Sequence, residues 1–188
     1  AEMNAVAAHT PRSRYLTCEG REIHFMDWAR APGTTDHGTV IAWHGLARTG
    51  HDMDALPAHL GALGYHVICP DTIGRGLSQW SPAPETEYCL GFYVKLATAL
   101  ADQLGLAQFH WLGTSMGGAI GLLAAATSLR GRIRRLLLND IGPQLAEAAR
   151  GVPSDAGLLE YARTVHALAQ RRQGLHAARR LIEALETG

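Results

Sequence analysis

Ser115 sits in the run Gly113-Thr114-Ser115-Met116-Gly117, a G-x-S-x-G pattern. The apolar residues before it, Phe109 to Leu112, read as a strand, and the small residues from Ser115 to about Ser128 read as a helix. A strand-turn-helix setting is what lets this pattern do chemistry. The sharp turn lifts the serine hydroxyl above the sheet edge, and side chains at the two glycine positions would collide there. The helix opening at Met116 aims free N–H groups and the positive end of its dipole at the reacting centre, where an oxyanion would develop. The bland alternative is a serine N-cap after a tight turn. The preceding strand and the paired glycines favour a nucleophile.

Other loops carry residues that suit the same chemistry. His44-Gly45 follows the apolar run Thr39 to Trp43. A backbone N–H from this loop, at Leu46, is the expected second oxyanion donor beside that of Met116. Gly45 is expected to permit close backbone approach, and His44 to brace the loop by hydrogen bonding rather than to act as a base. In Pro70-Asp71-Thr72-Ile73-Gly74-Arg75-Gly76-Leu77-Ser78, Asp71 is expected to organise the turn through its side chain. Gly74-x-Gly76 is no dinucleotide loop, because Gln79 stands where a third glycine would be and no acidic ribose partner follows. Trp80 is a candidate pocket wall, with plain core packing as its alternative.

The elements that must position these residues alternate along the chain. Strands are expected at Ser13 to Cys18, Glu22 to Arg30, Thr39 to Trp43, Tyr65 to Cys69, Gln108 to Leu112 and Ile133 to Asn139. Helices are expected at Asp52 to Leu63, Tyr88 to Leu104 and Ser115 to about Ser128, the first two ending at Gly64 and Gly105. Strand-helix alternation implies a mainly parallel sheet covered on both faces, with ligands beyond the carboxyl ends of its strands. The run Leu136-Leu137-Leu138 has the continuous apolar character of a strand buried on both faces. After Pro143 no strand pattern recurs, and Leu158 to Arg171 and Leu175 to Leu185 each read as a helix.

Composition narrows the class of function. The 188 residues suffice for one domain with a core, and 47% are hydrophobic and 18% charged. The formal net charge is zero, so no electrostatic footprint for nucleic acid is present. The cluster Arg130, Arg132, Arg134, Arg135 reads as a solvated turn leading into a strand. Three cysteines, Cys18, Cys69 and Cys89, form no C-x-x-C pair, which argues against a disulfide framework and fits a reducing, cytoplasmic compartment. No run reaches the roughly 18 apolar residues of a membrane span, and the first thirty residues contain no apolar signal core. His51, His59 and His66 fall on different elements without metal-like spacing, so neither metal nor cofactor is expected.

Four motifs together, Trp43-His44-Gly45-Leu46, Pro70-Asp71-x-x-Gly74-Arg75-Gly76-x-Ser78, Gly113-x-Ser115-Met116-Gly117-Gly118 and Leu138-Asn139-Asp140-Ile141-Gly142-Pro143, resemble the α/β-hydrolase superfamily in order and spacing. The resemblance covers about residues 13 to 143. It implies an α/β-hydrolase fold, with a core over residues 1–143 and a helical cap segment over 144–188. It is to esterases and carbon–carbon bond hydrolases rather than to the relatives that carry Asp at the nucleophile position. Some branches place the acid of the triad where Asp140 stands, while most use one strand later; bracing the cap entrance is the alternative role for Asp140. The base of that family is a histidine following the acid in the chain. Only His166 and His176 follow Ser115, both in expected cap helices. The family's sheet has eight strands against six countable here. The resemblance therefore implies that the base lies outside this chain, with the remaining carboxy-terminal portion of the protein. The expected activity is hydrolysis of a small ester or related acyl compound through an acyl-serine. A non-catalytic binding or scaffold protein of the same fold is the alternative.

Overall fold

A computed structural model of the chain describes residues 10–140. The expected cap helices, with His166 and His176, lie outside the described residues. The strands are β1 (Arg12–Cys18), β2 (Arg21–Trp28), β3 (Thr39–Trp43), β4 (His66–Pro70), β5 (Phe109–Thr114) and β6 (Ile133–Asn139). They form one sheet in the order β1-β2-β4-β3-β5-β6. The hairpin β1–β2 turns at Glu19 and Gly20, both with positive φ (52° and 71°). Two such residues make the tight turn whose twist matches an antiparallel pair. β2 pairs antiparallel with β4, and β4, β3, β5 and β6 run parallel.

Helices cover both faces, which is why β3 and β4 can be apolar at nearly every position. On one face α1 (Ala55–Ala62) packs Leu60 with Met26, Trp28, Val40 and Val67. On the other face α3 (Leu90–Gln103) and α4 (Met116–Ala126) pack Leu96, Leu100 and Ile120 against Phe25, Ile41, Trp43 and Trp111. The chain leaves β3 toward β4 on one side and returns to β5 on the other. The switch point of the sheet therefore lies between the carboxyl ends of β3 and β5, where ligands bind in open sheets of this kind.

Two helices differ from their expected extents. The stretch from Asp52 begins instead as a 3-10 turn, Gly50–Met53, before α1. A separate short helix, α2 (Pro84–Glu87), precedes α3. The expectation that β6 is buried on both faces does not hold among the described residues. Leu136, Leu137 and Leu138 are half-buried, Arg134 and Arg135 are exposed, and β6 forms the edge of the six-stranded sheet.

Candidate active site

The turn from β5 into α4 is built around a strained serine. Ser115 has φ 49° and ψ −111°, a region that side chains avoid. Such a conformation costs on the order of 1–3 kcal/mol and persists only where neighbours enforce it. They do so here. Ser115 N–H donates to Asn139 O at 2.8 Å, and Ser115 O accepts from Ala119 N–H at 3.0 Å. A Cβ on Gly113 would lie 2.3 Å from Gly117 O, and one on Gly117 would lie 2.2 Å from Trp43 O. Both glycines are thus required for space, as the pattern suggested. Beneath the turn the Trp43 and Trp111 rings stack at 5.4 Å, and Trp111 Nε1–H donates to Gly117 O at 3.0 Å. Burying two indoles is worth about 4–6 kcal/mol each, enough to outweigh the strain. Ser115 itself is exposed.

His44 is fully buried between two fixed partners. Thr72 N–H donates to its Nε2 at 2.9 Å. An amide can only donate, so Nε2 carries the lone pair, and Nδ1–H donates to Gly45 O at 2.7 Å. Burial holds His44 below the ordinary histidine range, which keeps the ring neutral. Both nitrogens are occupied, so His44 braces the loop and cannot serve Ser115 as a base. Gly45 O also accepts from Arg48 N–H at 3.2 Å. In a trans peptide the next N–H points opposite its carbonyl. The Leu46 amide is therefore held facing away from His44. Close approach does not demand Gly45, contrary to expectation: an added Cβ would make ordinary contacts, 3.7 Å from Ser115 Cβ. It would instead occupy space beside the serine.

Arg75, which sequence reasoning treated only as part of a motif, ties two loops together. Its Nε–H donates to Leu46 O at 2.7 Å, and Nη1–H groups reach Ile73 O at 2.9 Å and Tyr93 Oη at 3.1 Å. The guanidinium also lies over the Tyr88 and Tyr93 rings. Asp71 organises its turn as expected, accepting from Gly50 N–H at 2.6 Å and Leu77 N–H at 2.9 Å. Asp140 is exposed, has φ 50°, and directly follows the Asn139 carbonyl that holds Ser115. β6 neighbours β5, so Asp140 reaches the same rim as the serine. Leu46, Leu77 and Trp80 are large exposed apolar residues on the loops following β3 and β4, Trp80 being 72% exposed. Trp80 is therefore not a core residue of the described fold.

Among the described residues no histidine hydrogen-bonds Ser115. His24 engages Asp71 and Ser13, His51 engages Asp54, and His66 engages Asp27. Cys18 and Cys69 are buried, and burial raises both thiols, Cys18 to about 11, so neither supplies a thiolate. No cluster of three ligating side chains that could hold a metal ion occurs among the described residues. No helix among them is long and apolar enough to cross a membrane.

A strained serine at a strand-helix turn, beside a switch point of a mainly parallel sheet, defines a class, and the sequence carries it. Residues 38–181 match the model of the alpha/beta hydrolase fold family, and the chain belongs to that family. It is 36% identical over 141 residues to a 3-hydroxybutyrate-oligomer hydrolase of Cupriavidus necator, covering 74% of this chain and 47% of that protein. It is 33% identical over 150 residues to an N-formylmaleamate deformylase of Pseudomonas putida, covering 79% of this chain and 48% of that protein. An alpha/beta hydrolase from Novosphingobium aromaticivorans superposes with a TM-score of 0.62 at 32% identity, over 75% of this chain and 49% of that one. The chain spans about half the length of the curated relatives it matches.

Proposed function

We propose that the protein is a serine hydrolase that cleaves a small ester through an acyl-serine intermediate, with Ser115 as nucleophile. The observation that carries this reading is the enforced φ of Ser115, since a strained backbone held at an exposed hydroxyl has no packing purpose. Ser115 Oγ attacks the ester carbonyl, and the alcohol leaves. Met116 N–H, in the first turn of α4, has no intrahelical acceptor and is free for the oxyanion. Leu46 N–H is the second donor, its peptide plane clamped through Gly45 O by His44 and Arg48, while Arg75 holds the next peptide at Leu46 O. Asp140 orients a histidine that lies outside residues 10–140. That histidine takes the serine proton and returns it to the leaving group, and water then releases the acid.

Exposed Leu46, Leu77 and Trp80, on the loops following β3 and β4, are the apolar side chains we assign to the substrate pocket, which suits a short aliphatic acyl group. We assign the choice of acyl chain to the residues after Pro143. The relative named for 3-hydroxybutyrate oligomers supports an ester of a short hydroxy acid as substrate. The test is turnover of short p-nitrophenyl esters and of a 3-hydroxybutyrate trimer by the full-length protein and its Ser115→Ala variant. Hydrolysis lost in the variant supports the reading. Absence of turnover in the parent protein favours a binding or scaffold role instead.

A further inference from the structure

Ser13, His24 and Asp71 form a hydroxyl–imidazole–carboxylate chain far from Ser115. β1, which carries Ser13, is four strands from β5 across the sheet, about 19 Å at the usual strand spacing. Strand register brings the three together. Ser13 and Tyr15 on β1 face the same side as Met26 and His24 on β2, and Asp71 N–H donates to His24 O just beyond β4. Asp71 Oδ2 lies 2.8 Å from His24 Nδ1, and His24 Nε2 lies 2.7 Å from Ser13 Oγ.

The protonation follows from the partners. Two backbone amides, of Gly50 and Leu77, donate to the Asp71 carboxylate. Each carboxylate oxygen accepts one of them, so Asp71 acts as an acceptor. His24 Nδ1 therefore carries hydrogen and donates to Asp71. Its Nε2 keeps a lone pair and accepts from the Ser13 hydroxyl. His24 and Asp71 are 0% and 1% exposed, whereas Ser13 is exposed. The Tyr15 ring packs beside the imidazole, with ring centroids 5.0 Å apart.

We propose that Ser13 is a second nucleophilic serine, modified stoichiometrically by activated phosphonyl and acyl electrophiles. With a fluorophosphonate, Ser13 Oγ bonds to phosphorus, the P–F bond breaks and fluoride departs. The hydroxyl proton passes to His24 Nε2, and the imidazolium is held against Asp71. Ser13 lies within a strand and not at a helix amino end. Without a helix amino end of its own to aid charge development, the site reacts slowly and retains its adduct.

The test is adduct mapping on the full-length Ser115→Ala protein treated with a fluorophosphonate. Ser128 is the internal standard, an exposed serine bonded to Thr98 with no histidine partner. A general base contributes about 10²- to 10⁴-fold, so Ser13 is expected to be labelled at least tenfold faster than Ser128 in the same sample. Adding His24→Gln is expected to bring Ser13 down to the Ser128 rate. Adding Ser13→Ala instead, at an exposed strand position, is expected to remove that adduct and leave the fold intact. Labelling of Ser13 no faster than Ser128 overturns the proposal, and this comparison needs no second variant to fold. Labelling unchanged by His24→Gln in folded protein overturns it equally.

Discussion

At Ser115 the backbone does work that a surface serine would not need, and the residues around it divide into those legible in the sequence and those not. Gly113, Gly117 and His44 were legible, because each sits within a few residues of the element it supports and its role follows from local sterics or a neighbouring carbonyl. The Ser13–His24–Asp71 chain was not, since positions 11 and 47 residues apart meet only through strand pairing. Arg75 was not either, because its acceptor Leu46 O lies 29 residues earlier, on another loop. Asp140 is testable at this scale. If it orients the base, Asp140→Asn lowers kcat by about 10⁴ with the fold intact, as a wrong imidazole tautomer does. Steady-state kinetics checks this, and a loss of tenfold or less moves the acid to a later strand. Gly45→Ala places a methyl 3.7 Å from Ser115 Cβ without disturbing the fold. KM for bulky esters should rise while the melting temperature stays within a few degrees, and an unchanged KM would mean that substrate does not pass there.

Elements were read well where a single force sets their limits. β3 coincides with its apolar run, and β6 has the expected limits Ile133–Asn139. The α-helix before Gly64 starts at Ala55, later than the expected Asp52, because a 3-10 turn, Gly50–Met53, precedes it; the signal for that turn was present as Thr49-x-x-Asp52. Asp52 accepts from Thr49 N–H at 2.7 Å, the reciprocal half of a capping box. The crowding of α4 against β3 gives a prediction for stability. Gly117→Ala puts a Cβ 2.2 Å from Trp43 O and 2.8 Å from His44 O, both backbone atoms that cannot swing aside. Overpacking of this kind costs about 1–3 kcal/mol or more. Urea unfolding should show that loss together with loss of esterase activity, and a neutral variant would mean that α4 can shift off β3. For the segment beyond Pro143, deletion of residues 144–187 from the full-length protein should change the acyl-chain preference of a soluble, folded product. An unchanged preference would deny this segment a role as a lid.

For the molecule as a whole, acid stability follows from its buried imidazoles. Burial lowers His44 and His110 below the ordinary histidine value near 6.5. As pH falls below that value the unfolded chain takes up protons that the folded chain refuses. Stability is therefore full above about pH 6.5 and declines as pH drops toward the folded values. Urea midpoints between pH 7.5 and 5 should fall, and His44→Gln should flatten that slope even though it weakens the loop at every pH. An equally steep slope in the variant would place the titration elsewhere. The sheet order, the switch point and the serine turn all direct chemistry to one rim, and the account stands on a covalent bond at that rim. The direct measurement is rapid acid quench of the full-length protein during turnover of a short p-nitrophenyl ester, with the acylated residue mapped by peptide mass spectrometry. The expected result is one acyl group on Ser115, formed and lost at rates matching turnover. Sustained turnover with no acyl group on Ser115 would contradict the account.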